Sequence, residues 1–166
     1  FCLLFSPMTS SFNWPQHITL REVGLRDGLQ SIARVLPTAQ KLEWIRDAHA
    51  AGLREIEVGS FVPPKLLPQL ADTAELVAYA KTLPSLVVSV LVPNLKGAER
   101  AMDSGADWML LPLSASQAHS RANLRKSPDD VVAEIGAMVD ARRARGSSIR
   151  IEVGLSTALG CTIQEI

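Results

Sequence analysis

Two adjacent residues of opposite charge follow the first strand-like run of the chain. Arg26 and Asp27 stand just past residues 18–24. A carboxylate is a hard oxygen ligand for a divalent metal ion, and a guanidinium can polarise a substrate carbonyl or stabilise a developing enolate oxygen. A surface ion pair in a loop is the alternative, and these two residues alone leave both interpretations open.

A further carboxylate lies near the end of the second strand-like run, residues 53–59. Alternation along this run places Glu55 and Glu57 on one face of the strand and the apolar residues on the other. A carboxylate inside a barrel is costly unless it is paired, and Arg26 on the neighbouring strand is the expected partner. We expect Glu57 to belong to the site and Glu55 to be a solvated strand start.

The elements that position these residues alternate from His17 onward. The strand-like runs are 18–24, 53–59, 86–92, 107–113 and 149–155, and the helical segments are 38–51, 70–82, 95–104 and 128–145. This alternation is typical of βα units around a parallel sheet. Gly52, Gly105 and Gly146 each separate a helical segment from a strand, where a left-handed turn favours glycine.

The βα rhythm suits either a doubly wound sheet or a (β/α)8 TIM barrel. A dinucleotide-binding sheet would need G-x-G-x-x-G after its first strand. Residues 24–28 have the wrong glycine spacing and place two charges where a pyrophosphate must approach. The barrel is therefore favoured, and the chain would cover roughly the first five of its eight βα units.

Other polar residues follow the later strand-like runs. Asn94 is either a helix N-cap or a ligand contact. His119 lies in a segment that we expect to be a mobile loop. Cys161 is expected to be buried or inert, because no histidine is near it in the sequence.

Composition argues against several classes of protein. Lys plus Arg and Asp plus Glu number 17 each, so no basic excess indicates a nucleic-acid partner. The two cysteines, Cys2 and Cys161, are too few for a disulfide framework, and we expect a cytoplasmic location. Residues 1–7 are apolar but far shorter than the ~20 residues that span a bilayer, so no membrane partner is expected.

One domain is the expectation for 166 residues of which 47% are hydrophobic. It would cover residues 17–166, the N-terminal portion of a TIM barrel, behind an irregular extension over 1–16. Met8 precedes a polar stretch and then the first strand-like run, so translation is expected to begin there.

Four motifs stand at the predicted strand ends. They are EVGLRDGLQ (22–30), IEVGSFVPPKLLPQLADTAEL (56–76), VPNLKG (92–97) and ALGC (158–161). In this order they resemble 3-hydroxy-3-methylglutaryl-CoA lyases, a family of metal-dependent TIM-barrel lyases. The resemblance covers about residues 18 to 161.

The resemblance implies cleavage of a 3-hydroxy-3-methylglutaryl thioester to acetyl-CoA and acetoacetate by retro-Claisen chemistry. It implies that Asp27 binds Mg²⁺ or Mn²⁺, that Arg26 steadies the thioester enolate, and that Glu57 supports the same site. The implied substrate-binding residues are Arg26, Gln30, Ser60 and Asn94. The acyl-CoA is then the substrate rather than a cofactor, and the full-length form is expected to be a homo-oligomer.

Departures from the family pattern leave two alternatives open. The family draws further metal ligands from a His-x-His pair and an Asn, and its catalytic cysteine from a late glycine-rich loop, none of which this sequence contains. Leu25 stands where proline is common, which fits a branch acting on another 3-hydroxyacyl-CoA. We expect the chain as given to be inactive. The alternatives are a fragment of a Claisen-condensing relative, similar to isopropylmalate or homocitrate synthases, and a non-catalytic half-barrel remnant.

Overall fold

The computed structural model describes residues 15–164. The predicted start at Met8, Cys2 and nearly all of the predicted N-terminal extension lie outside the described residues. Among the residues that are described, no helix has the length and apolar character needed to cross a membrane.

Within residues 15–164, five parallel strands form one sheet, and each strand pairs with the next one along the chain. They are β1 (Arg21–Glu22), β2 (Glu55–Ser60), β3 (Val87–Leu91), β4 (Trp108–Ser114) and β5 (Arg150–Ser156). A doubly wound sheet reverses its strand order at a switch point, whereas a barrel adds strands in sequence. The observed order therefore confirms the predicted barrel arrangement.

An ion pair joins the two ends of this sheet. Arg21 Nη2 on β1 donates to Glu152 Oε2 on β5 at 2.6 Å, although three strands lie between them. In a flat sheet, four steps of about 4.8 Å would separate these strands by roughly 19 Å, beyond the reach of the two side chains. The sheet is therefore strongly curved, and its concave face corresponds to the interior of a barrel.

In the described part of the chain, five α-helices follow or connect the strands. They are α1 (Thr38–Ala50), α2 (Thr73–Ala80), α3 (Leu95–Ser104), α4 (Gln117–Leu124) and α5 (Pro128–Ala144). The core lies where these helices pack on the sheet, and β2, β3 and β4 each contribute fully buried side chains to it. Those side chains are Ile56, Val58, Val88, Val90, Met109 and Leu111.

Glycines end three helices in the way that the sequence predicts. Gly52, Gly105 and Gly146 have φ values of +99°, +80° and +59°. A residue with a Cβ is strained in this left-handed region. Each glycine therefore stops its helix and turns the chain back toward the sheet.

The predicted loop around His119 was wrong, because these residues form helix α4. Ser116 caps this helix by accepting a hydrogen bond from the His119 backbone N–H at 3.1 Å. The helix buries only Ser120. Because it presents no apolar stripe to the core, the hydrophobic periodicity that marks other helices is missing from its sequence.

Strand β1 is shorter than the predicted run 18–24. Only Arg21 and Glu22 pair with β2. Val23 leaves the extended conformation, with φ −122° and ψ 2°, and the chain then enters a helical turn. Strand β1 therefore ends at Glu22, two residues before the end of the predicted run.

Candidate active site

A single π-helical turn, Gly24–Gly28, follows β1 where the sequence predicted a loop. The Val23 carbonyl accepts hydrogen bonds from the backbone N–H groups of Arg26 and Asp27, at 3.1 and 2.8 Å. Leu25 is fully buried and anchors the turn. Single π turns are rare and frequently occur at functional sites.

Gly24 is the residue that lets this turn begin beside α1. A Cβ at this position would lie 2.6 Å from Glu22 Oε1 and 2.8 Å from the Trp44 ring. The Gly24 backbone N–H also donates to Glu22 Oε1 at 2.6 Å. Any larger residue would displace the start of the turn, and with it the two charged residues that follow.

The Arg26 guanidinium lies between two carboxylates. Its Nε donates to Glu57 Oε1 at 2.5 Å and its Nη1 donates to Asp27 Oδ1 at 2.7 Å. The Glu57 side chain is 1% exposed, that of Arg26 is 16% exposed, and that of Asp27 is 63% exposed. The predicted Arg26–Glu57 pair is confirmed, and it compensates the cost of burying the Glu57 charge.

Glu55 does not have the solvated environment that we predicted. Its side chain is 15% exposed and accepts a hydrogen bond from Arg21 Nε at 2.5 Å. Glu55 faces the concave side like Glu57, and there the Arg21 side chain reaches it. Glu55 therefore belongs to the interior ion network that includes Glu152, below the Arg26 corner.

Ser60 lies beside this corner, but its hydroxyl is engaged by the backbone. The residue is 1% exposed. Its Oγ donates to the Leu91 carbonyl at 3.1 Å and accepts from the Val62 N–H at 3.2 Å. A substrate contact by Ser60 therefore stays a prediction.

Asn94 and Gln30 also remain predicted pocket residues. Asn94 caps α3, because its Oδ1 accepts from the Gly97 N–H at 2.9 Å, so the helix-cap alternative is confirmed. Gln30 is exposed just after the π turn. Both lie at the end of the sheet where the strands finish.

A second polar cluster lies at the ends of β4 and β5. Cys161 is buried, as predicted, and its Sγ lies 2.9 Å from Ser116 Oγ. Hydrogen bonding from the Ser116 hydroxyl to the thiolate lowers the pKa of the thiol. His119 Nδ1 is 2.8 Å from Ser114 Oγ, and the half-buried ring lies on α4 rather than in a loop. The sequence offered no signal for the serine partners of these two residues.

The described residues fit only one part of a metal site. Asp27 offers an exposed carboxylate, which suits a hard divalent ion. Across residues 15–164, however, no three His, Cys, Asp or Glu side chains are grouped so that they could hold a metal ion. Asp27 can therefore supply one ligand, and its described surroundings do not complete the coordination that Mg²⁺ requires.

The sequence matches a known protein family over nearly its whole length. A sequence model of the family described as HMGL-like matches residues 17–166. A 3-hydroxy-3-isohexenylglutaryl-CoA/hydroxy-methylglutaryl-CoA lyase of Pseudomonas aeruginosa is 40% identical over 149 residues, which are 90% of this chain and 49% of the relative. A mitochondrial hydroxymethylglutaryl-CoA lyase of Bos taurus is 36% identical over 148 residues, 89% of this chain and 45% of the relative.

Solved structures show the same fold. Hydroxymethylglutaryl-CoA lyase from Pseudomonas aeruginosa matches with a TM-score of 0.81 and 39% identity, over 89% of this chain and 48% of that chain. An HMG-CoA lyase from Acinetobacter baumannii, in complex with coenzyme A and 3-methylmalate, matches with a TM-score of 0.78 and 34% identity, over 86% and 46%. The chain thus spans about half the length of these relatives.

Proposed function

The chain belongs to the HMGL-like family, and from that premise we propose that its site serves a carbon–carbon lyase. The substrate is 3-hydroxy-3-methylglutaryl-CoA or a related 3-hydroxyacyl-CoA. Cleavage of the former yields acetyl-CoA and acetoacetate. The curated relatives named above are lyases of such thioesters, and one solved relative holds coenzyme A.

The observation that carries this proposal is the fixed Arg26 guanidinium. In a retro-Claisen cleavage, the tertiary alkoxide collapses to a ketone and the bond between C2 and C3 breaks. The electron pair passes to the thioester as an enolate, which then takes a proton at carbon. A guanidinium held in place before the reaction stabilises the developing enolate oxygen without reorganisation.

The two carboxylates on Arg26 have different tasks in this proposal. Glu57 is buried and fixes the orientation of the guanidinium. Asp27 is exposed and is the described residue that would hold a divalent ion, Mg²⁺ or Mn²⁺. Such an ion, when bound, supplies Lewis acidity that lowers the pKa of the substrate hydroxyl.

Among the alternatives, a Claisen-condensing relative has less support, because the relatives named above are lyases. A non-catalytic half-barrel remnant stays open to experiment. A cytoplasmic location and a homo-oligomeric full-length form remain predictions.

A chimera tests the proposed function. Residues 17–161 would replace the matching half of the Pseudomonas aeruginosa lyase, and acetoacetate would be measured after addition of 3-hydroxy-3-methylglutaryl-CoA and Mg²⁺. We expect turnover, and we expect Arg26→Met to lower kcat by about 10²- to 10³-fold, the loss typical of one electrostatic donor.

Arg46→Met is the matched control. Arg46 also donates to the aspartate that follows it, Asp47, but both side chains are more than half exposed on α1. This variant should retain the turnover of the parent chimera. A folded chimera that forms no acetoacetate, or equal turnover in the two arginine variants, contradicts the proposal.

A further inference from the structure

Strand β2 contains one residue more than the segment of β3 with which it pairs. Glu57 is in register with Ser89 of β3, and Ser60 is in register with Leu91. The two β2 residues are three positions apart, whereas their β3 partners are two apart. The irregularity falls between Glu57 and Gly59, so Val58 is the extra residue of a β-bulge.

This bulge decides which side chains face the barrel interior. In a regular strand, residues three positions apart point to opposite faces. Because the bulge contributes one extra residue between them, Glu57 and Ser60 point to the same face of the sheet. Ser89 and Leu91, their partners on β3, also share that face. Without the bulge, Ser60 would turn toward the helices while Glu57 kept its contact with Arg26.

The side chain of Thr73, the first residue of α2, holds the bulge from the helix side. Its Oγ1 accepts from the Ser60 N–H at 3.0 Å. The same hydroxyl lies 3.0 Å from the Ser60 carbonyl and 2.7 Å from the Leu70 carbonyl. A threonine hydroxyl has one hydrogen and two lone pairs, so this group accepts one hydrogen bond and shares its single hydrogen between two carbonyls.

Gly59 makes room for this hydroxyl. A Cβ at Gly59 would lie 2.3 Å from Thr73 Oγ1 and 3.0 Å from Thr73 Cβ. Thr73 itself is 1% exposed, so it cannot move aside into solvent. The glycine and the threonine therefore fit one another, and together they fix the backbone between Glu57 and Ser60.

We propose that Thr73 is a positioning residue of the active site, which acts by locking the β2 bulge so that Glu57 and Ser60 face the interior together. The inference rests on the proposed function for its catalytic consequence. Its structural part, the lock on Ser60, stands on the contacts alone. Because Glu57 orients Arg26, a loosened bulge would also loosen the guanidinium that meets the substrate.

Thr73→Val tests this role, because valine keeps the shape of threonine and removes the hydroxyl. Amide hydrogen exchange at Ser60, measured by NMR in the native chain, should become about tenfold faster, as expected for the loss of one hydrogen bond. The Val92 N–H, which donates to the Leu110 carbonyl at 2.9 Å, is the internal reference and should not change.

Two further variants separate positioning from general stability. Thr73→Ser keeps the hydroxyl and should retain slow exchange at Ser60. Thr38→Val removes a threonine hydroxyl that donates to Asp72 Oδ2 at 2.9 Å, next to Thr73 in sequence but outside the bulge. This variant should lower the free energy of unfolding. Any change in the exchange rate at Ser60 should then equal the change at Val92. If Thr73→Val does not fold, Thr73→Ala gives the same comparison.

Binding of 3-hydroxy-3-methylglutaryl-CoA to the same variants, measured by calorimetry, tests the catalytic consequence. We expect about tenfold weaker binding in Thr73→Val and parent-like binding in Thr73→Ser and Thr38→Val. Unchanged Ser60 exchange in Thr73→Val overturns the inference. If the parent chain does not bind the thioester, the proposed function fails for this chain, and the exchange comparison still decides the role of Thr73.

Discussion

Arg26 is held by two carboxylates that differ sharply in exposure. The buried one, Glu57, has a structural task, and the exposed one, Asp27, is accessible to a ligand. The bond to Glu57 is shielded from water, so it persists and sets the angle of the guanidinium. The bond to Asp27 is open to solvent and weak in free energy. Asp27 can therefore exchange its arginine partner for another cation without disturbing the turn.

Removal of the buried carboxylate should destabilise the fold. We expect Glu57→Gln to lower the free energy of unfolding by about 3 kcal/mol, because Arg26 would keep its charge in a largely desolvated place. Asp27→Asn, at the exposed end of the same guanidinium, should change it by less than about 1 kcal/mol. Urea denaturation measures both changes, and equal losses in the two variants would contradict this division.

Single residues also show how far the sequence predicts the site. The Arg26–Glu57 pair follows from the alternation along β2, which places Glu57 on the interior face, and from the position of Arg26 just past the neighbouring strand. The environment of Glu55 does not, because it depends on the register between β1 and β2, which sets Arg21 beside Glu55. Ser60 was a candidate only through the family resemblance, because a bulge interrupts the alternation along β2. Gly59 inside a strand was the available signal, because such glycines often mark bulges.

The elements are bounded mainly by turn chemistry, which local sequence specifies well. The glycine stops were predicted correctly because a left-handed residue is a local requirement. Helix α4 was missed because its one buried residue is a serine. Amphipathic periodicity predicts helices that bury an apolar face, and it does not detect a polar helix fixed by its cap.

Two glycine substitutions should have opposite effects on stability. Gly105 has φ +80° at the end of α3, so Gly105→Ala should cost about 1 kcal/mol through strain. Gly136 lies inside α5, where an added Cβ would meet nothing within 4 Å. Gly136→Ala should therefore stabilise by about 0.5–1 kcal/mol. Thermal or urea unfolding decides, and effects of the same sign would refute the assignment.

The link between β1 and β5 should make stability depend on pH in acid. The hydrogen bond from Arg21 lowers the pKa of Glu152 in the folded state, with burial opposing it. The stabilisation is therefore present above the unfolded pKa of a glutamate, about 4.3, and is lost as pH falls through the lower folded value.

Glu152→Gln measures this contribution. The parent should be more stable than the variant at neutral pH, and the difference should shrink as the pH falls below about 4.3 and disappear once the pH is below the lowered folded pKa. Asp140→Asn, at a carboxylate that is 77% exposed, is the control and should show little difference at any pH. If the stability difference between the parent and Glu152→Gln persists undiminished into acid, the charge of Glu152 does not contribute to the stabilisation by Arg21.

Taken as a whole, the described residues form half of a barrel with one carboxylate, Asp27, that we propose as a metal ligand. The fold class was predictable because a βα rhythm without a dinucleotide motif leaves few topologies. The sequence predicts a single metal ligand, Asp27, and no group of three His, Cys, Asp or Glu side chains that could hold a metal ion occurs within residues 15–164. The reaction is proposed from the family resemblance, whereas the Arg26–Glu57 and Arg26–Asp27 contacts are features of the chain itself.

We therefore expect residues 8–166, tested alone, to show no lyase turnover with Mg²⁺ present. One carboxylate holds this ion weakly, because Mg²⁺ requires nearly octahedral oxygen coordination. Acetoacetate production is the measurement, against a metal-free reaction. Acetoacetate above that background, abolished by Asp27→Ala, would show that this polypeptide completes the metal site by itself.

The sequential order of the sheet has a consequence for synthesis on the ribosome. Each strand pairs with the one made just before it, so every βα unit leaving the exit tunnel finds an edge already able to accept it. The N-terminal βα units can therefore fold first, while translation of the later units continues. The salt link between Arg21 and Glu152 forms only after β5 has emerged, so it joins the oldest strand to the newest and marks the end of assembly for these five units.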